Sequence, residues 1–176
     1  IGMKTFTGVL WSSIERFSVQ GIQFIFQILI ARILSPTEYG TVGMLSVFMA
    51  VSQTLVDSGF SNALIRKSKA TEEELSTVFI FNLLISIIIY ILLFVASPAI
   101  SSFYNNYDLI QIARVYFLSI PISSLGSVQR TIYIKNVDFK NYAKVTMLSA
   151  IVSGLLGFTL ALMKFGIWSI VFYALA

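Results

Sequence analysis

Long apolar runs, each near the length of a bilayer-spanning helix, alternate with short polar breaks along this 176-residue chain. A spanning helix needs about 20 mostly apolar residues. The runs fall at about residues 7–33, 38–64, 75–96, 108–134, 142–163 and 167–176. They predict an all-α polytopic bundle of about six transmembrane spans. At 1.5 Å per residue the last run covers roughly 15 Å, half a bilayer core, so the sixth span is expected to be incomplete.

The breaks carry helix-terminus chemistry. Ser35-Pro36-Thr37-Glu38 reads as a capping box. Ser35 caps, Pro36 takes the first helical position where its missing N–H costs nothing, and Glu38 reaches back to the cap. Thr71-Glu72-Glu73-Glu74 repeats the scheme, with carboxylates on the positive end of the third helix. The stretch from Ser97-Pro98 to Asp108 lacks helical periodicity and reads as a surface loop, and Asp138-Phe139-Lys140 opens the fifth helix. Residues 17–33 follow Lys4 and Arg16 as the apolar run of a signal peptide follows its basic start, but the run is too long, holds three Gln and lacks a small-residue cleavage site before Pro36. The segment is expected to be retained.

Composition sharpens this picture. Hydrophobic residues make up 57% and charged residues 11%, against about 25% charged in soluble domains. That is too little charge to cover a soluble surface, and too much apolar character for disorder. The chain has no Cys and no His. Disulfides, thiolate metal sites and the commonest general base are therefore excluded, and no metal or cofactor motif is visible. The basic residues form no nucleic-acid-binding stripe. Lys4, Arg66, Lys67, Lys69, Lys135, Lys140 and Lys144 gather at one set of span ends, with Arg32 and Lys164 at the other. By the positive-inside rule the N-terminus is cytoplasmic. Trp11, Tyr133 and Tyr142 then fall at the inner interface, and Tyr39, Phe103, Tyr104, Tyr107 and Trp168 at the outer one.

Polar residues inside the spans are the candidate chemistry. Ser12, Ser13, Arg16, Gln20, Gln23 and Gln27 are separated by helical steps and share an arc of about 100°. A lone Arg at mid-bilayer costs about 2.5–3.5 kcal/mol on insertion scales, so the stripe is expected to avoid lipid. Two readings stay open. Arg16 pairs with a carboxylate such as Glu15 or Asp57 while the Gln side chains bridge helices, or Arg16 lines an aqueous route and grips an anionic ligand. Glu15 lies about 100° from Arg16 on the helix, and Asp57 near the end of span two suits pairing with Arg66 or Lys67. Arg114, near the outer end of span four, either snorkels or marks a second cationic point on the route. Pro121 breaks span four beside Ser119, Ser123 and Ser124, whose hydroxyls suit the freed carbonyls. Ser149, Ser153 and Gly157 repeat every four residues, as do Ala150 and Gly154 ahead of the larger Phe158, and small residues at that spacing are expected to let span five pack closely.

Several segments together resemble a known family. They are Ala31 to Gly40 (ARILSPTEYG), Asp57 to Ile65 (DSGFSNALI), Phe103 to Asn106 (FYNN), Asp138 to Lys140 (DFK) and Gly166 to Val171 (GIWSIV). In order and spacing they resemble the N-terminal half of bacterial polysaccharide flippases of the Wzx type, especially the colanic-acid-like branch. The resemblance implies one lobe of a two-lobe transporter in the bacterial inner membrane. Its substrate would be undecaprenyl-diphosphate-linked oligosaccharide, held between this lobe and a second transmembrane lobe, with the lipid tail in the bilayer and no cofactor. It implies substrate-facing roles for Arg16, Gln20, Gln23 and Gln27, to which Arg114 is added as the second cationic point read on the route. A cation-coupled multidrug extruder of the same superfamily would instead use Glu15 and Asp57 for ion coupling. A membrane-embedded glycan polymerase or ligase is a third reading, which the short outer loops disfavour. The flippase reading makes the chain a non-enzyme.

Overall fold

A computed structural model describes residues 2–57, 72–126 and 139–176, and the side chains of 10–56, 73, 76–126 and 140–176. Every regular element among them is helical: α1 (Gly2–Ile33), α2 (Pro36–Asp57), α3 (Glu72–Phe103), α4 (Leu109–Tyr116), α5 (Phe139–Leu162) and α6 (Trp168–Leu175). A further helical run covers 119–126. Four stretches are long and apolar enough to cross a membrane: Pro36–Val56, Ser76–Phe103, Leu109–Gly126 and Lys140–Leu162. At 32 residues α1 is also long enough, but Arg16 and its glutamines dilute its apolar character. The chain divides into two compact units, one built from residues 2–39 and 139–174, the other from 40–126.

In the first unit α1 and α5 lie side by side and run in the same direction. Trp11 meets Lys140 at one end, with the ammonium 5.9 Å from the ring centre. Phe26 then lies over Gly154, and Ile30 beside Gly157. From Trp11 to Ile30 the pairing follows about 28 Å of helix, so α1 accompanies a membrane-length helix for nearly a bilayer thickness. The small residues of α5 make this possible: a β-carbon at Gly154 would fall on the Phe26 ring, and one at Gly157 would come 2.8 Å from Cβ of Tyr173. Ala143, Ala150 and Ala161 continue the same buried strip, whereas Ser149, expected from its spacing to pack here, is exposed, because it lies about 100° around the helix from Ala150. Ile30, Leu34 and Ala161 form the apolar centre, flanked by Phe158, Ile170 and Tyr173.

The turns of this unit are closed locally. The Glu38 amide donates to Ser35 Oγ at 3.3 Å, and the Ser35 amide donates to Glu38 Oε2 at 2.8 Å, the reciprocal capping box its sequence announces. Glu38 Oε1 occupies the space that a β-carbon at Gly166 would need, and Gly166 has φ +58°. Only glycine tolerates both conditions. The α1–α2 turn is thereby seated on the α5–α6 turn.

In the second unit the neighbours alternate in direction. Met49 and Gln53 of α2 meet Ser119 and Ser123 in the same order, whereas Ser97 and Ser86 of α3 meet Arg114 and Ser124 in reverse order. That is the up-and-down path of a serpentine chain. Phe117, Leu45, Leu109 and Ile120 are fully buried, with Phe48 edge-on to Phe117 at 6.5 Å. Serines fill much of the remaining interior: Ser86, Ser97, Ser101 and Ser124 have almost no exposed surface. Large aliphatic side chains point outward instead, such as Val95 at 71% and Leu92 at 63% exposure. Small polar groups inside and bulky apolar groups outside is the arrangement a lipid solvent favours.

Two spans differ from those read in the sequence. The third helix does not stop at Ala96 but runs through Pro98 to Phe103, so the loop expected over 97–108 shrinks to 104–108. Pro98 cannot donate to the Phe94 carbonyl, but the Ser97 hydroxyl does so at 2.8 Å, and the helix survives. It ends where Asn105 adopts φ +52° and the Asn106 and Asn105 amides donate to the Ser101 and Ser102 carbonyls, a Schellman closure. The fourth span is broken at residues 117–118 ahead of Pro121. There the Ser119 hydroxyl takes the Tyr116 carbonyl at 2.7 Å and the Ile120 amide takes that of Phe117 at 3.0 Å. The fifth helix begins at Phe139, within the Asp138-Phe139-Lys140 segment read as its opening. The far part of span two (58–64), the Thr71 cap, Arg66, Lys67, Lys69, Arg130, Tyr133 and Lys135 lie outside the described residues.

Candidate functional site

The surface of α1 divides into three strips. Val19, Ile22, Phe26, Leu29 and Ile30 are buried or partly buried, and Phe26 and Ile30 lie on α5. Arg16, Gln20, Gln23 and Gln27 are all exposed, in a row centred about 100° around the helix from that packed face. Beyond them comes an apolar strip, with Phe17 at 80% and Phe24 at 63% exposure. The row therefore lies between the helix contact and the most exposed aromatic surface of α1. Along the axis Arg16 to Gln27 spans about 17 Å.

Arg16 forms no ion pair among the described residues. Its neighbour Glu15 is partly buried and sits on the side of the helix turned to α5, so it does not point along the row. The three glutamines form no hydrogen bonds with the other described side chains. The row presents one guanidinium and three amides, groups suited to an oxyanion and to hydroxyl-rich ligands respectively. Asp57 closes α2, and its side chain lies outside the described residues. Among the described residues no group of three or more acidic, His or Cys side chains could hold a metal ion.

Arg114 belongs to the second unit and is held in a different way. Its Nε donates to Ser97 Oγ at 3.0 Å, and its guanidinium carbon lies 4.2 Å from the centre of the Phe94 ring. Ser97 is fully buried, and its hydroxyl donates a hydrogen bond to the Phe94 carbonyl. Sequence reading marked Arg114 but not Ser97 or Phe94. The available signal was the Ser-Pro pair inside an otherwise apolar run, which marks a carbonyl needing a donor.

Comparison with known proteins gives the class. A family described as polysaccharide biosynthesis protein matches residues 29–176, and the chain belongs to that family. Its relatives include the teichuronic acid biosynthesis protein TuaB of Bacillus subtilis, 29% identical over 87% of this chain and 32% of that protein. The succinoglycan biosynthesis transport protein ExoT of Rhizobium meliloti is 28% identical over 97% of this chain and 35% of its own length. The lipopolysaccharide biosynthesis protein WzxC of Escherichia coli is 26% identical over 98% and 34% respectively. The chain thus spans about a third of the length of these relatives. No solved structure matches it. The Wzx-type resemblance read from the sequence agrees with these matches, and the apolar helices agree with a membrane protein.

Proposed function

We propose that this chain is part of a transporter that moves undecaprenyl-diphosphate-linked oligosaccharide from the inner to the outer leaflet of a bacterial inner membrane, with its N-terminus in the cytoplasm. The row on α1 lines the aqueous route. Arg16 meets the diphosphate through paired N–H groups, and Gln20, Gln23 and Gln27 exchange hydrogen bonds with sugar hydroxyls. A second transmembrane lobe of the same protein completes the route, and alternating access comes from relative movement of the lobes. The chain does no bond-making chemistry in this reading.

The observation that carries the reading is the exposure of the whole row. A cation and three amides set toward hydrocarbon would be costly, and they are not used up in a helix contact. Family membership supplies the polysaccharide context. The test is Arg16→Ala in the full chain, expressed in a strain lacking the native gene. Surface polysaccharide falls to the level of the deletion while protein in the membrane stays normal, and Arg16→Lys restores part of it. Full export by the alanine variant overturns the role given to Arg16.

A further inference from the structure

Arg114 presents a second, separate anion fork. Three of its features stand together. It is partly buried, and no carboxylate pairs with it among the described residues. One face of its guanidinium is covered by Phe94. Its Nε edge is occupied by Ser97, whose orientation is fixed in turn by the carbonyl that Pro98 leaves open. The guanidinium plane is therefore set by its surroundings, and the Nη1/Nη2 edge is the one left to take two oxygens of an oxyanion.

Its depth says which oxyanion. Arg114 lies five residues inside the span Leu109–Gly126, or about 7.5 Å along the helix. At the same end, Phe103 is 78% and Tyr107 87% exposed, and Phe103 stacks edge-on with Tyr104 at 5.0 Å. Exposed aromatics of this kind mark the level of the lipid headgroups. A guanidinium just below them reaches phosphate more easily than any group in the bilayer centre.

We propose that Arg114, oriented by Ser97 and Phe94, binds the headgroup phosphate of an anionic phospholipid. The site is independent of the row on α1 and of the transport reading. Ser97 is a positioning residue: it accepts from Nε and leaves the outer fork free.

The test places the full chain in nanodiscs of equal phosphatidylethanolamine and phosphatidylglycerol, followed by native mass spectrometry of the lipids retained in detergent. One cation near the surface favours anionic lipid by about fivefold, so the wild type retains phosphatidylglycerol in that excess. Arg114→Gln drops the ratio to that of the nanodisc, and Ser97→Ala, which keeps the charge but releases its orientation, lowers it about twofold. Arg32→Gln, which removes an exposed cation from the end of α1, leaves it unchanged. A thermal melt confirms that each variant is folded; should Arg114→Gln fail to fold, Ser97→Ala decides. Undiminished preference in Arg114→Gln, or in Ser97→Ala where that variant decides, overturns the proposal. So does an equal loss in Arg32→Gln, which would mean charge alone. Displacement of phosphatidylglycerol by one equivalent of added polyprenyl diphosphate also overturns it, since the fork would then belong to the transport route.

Discussion

The two units treat polar side chains in opposite ways. In the second, hydroxyls are drawn inside: Ser86, Ser97, Ser119 and Ser124 are buried, and each reaches a backbone carbonyl of its own span. Ser97 and Ser119 stand where Pro98 and Pro121 interrupt the ladder, so they repair the backbone. In the first, Arg16, Gln20, Gln23 and Gln27 turn away from the helix contact and stay exposed, while the contact itself is made by glycine, alanine and apolar side chains. Short hydroxyls can fold back on their own backbone; amides and guanidinium reach outward. The side-chain length thus sorts intramembrane polarity into structure in one region and a presented surface in the other.

The sharpest way to break this contrast uses the absence of cysteine from these 176 residues, with any cysteine elsewhere in the full chain first replaced by serine. Gln20→Cys, Gln23→Cys and Gln27→Cys are placed one at a time in the full chain and exposed to a small, charged, membrane-impermeant thiosulfonate. Each is expected to react at least about tenfold faster than Ser86→Cys or Ser124→Cys, since a thiolate forms far less readily in an apolar interior. Equal, slow reaction at all five sites would mean that the row meets lipid instead of water, and the contrast would vanish.

The next largest effect concerns the contact that leaves the row free. Gly154→Leu would force the Phe26 ring off α5 and push the helices apart. Overpacking of this kind costs about 1–3 kcal/mol. The exposed Ser149, less than two turns away on α5, supplies the comparison: Ser149→Leu changes stability by no more than about 0.5 kcal/mol. The measurement is the denaturant midpoint of each variant in mixed micelles. If both leucines act alike, the glycine strip is not the surface on which α1 rests.

These sites differ in how far the sequence discloses them. The Ser35–Glu38 box is legible because all its partners lie within one helical turn. The polar row is legible as a row because helical spacing fixes a shared arc. Which arc would be buried was not legible, since that depends on Gly154 and Gly157, more than a hundred residues away, admitting Phe26 and Ile30. Pro98 misled for a related reason. Proline, serine and asparagine close together read as a loop, yet one hydroxyl bonded to Phe94 keeps the helix intact for another turn. Arg114 was visible as a cation, but its Ser97 and Phe94 partners lie on another helix, and no periodicity connects them.

The smallest expected effect tests whether serine pairing across helices adds anything to backbone repair. Ser86 and Ser124 hydroxyl oxygens lie 2.9 Å apart, and each also reaches a carbonyl, of Leu83 and Pro121 respectively. A hydroxyl has one proton, so donation across the pair competes with donation to the helix. Hydrogen bonds between membrane helices average about 0.6 kcal/mol, and this competition should keep the pair at or below that value. A double-mutant cycle of Ser86→Ala and Ser124→Ala, read by unfolding in mixed micelles, isolates it. A coupling near 0.5 kcal/mol makes the pair a modest tie between α3 and the fourth span. A coupling above about 1.5 kcal/mol would overturn the competition argument, because one of the two hydroxyls would then have to give its proton to the neighbouring helix in preference to its own carbonyl. Zero coupling would show that the two hydroxyls serve their own helices and not each other, and would sharpen the division from α1, whose glutamines form no hydrogen bonds with the other described side chains.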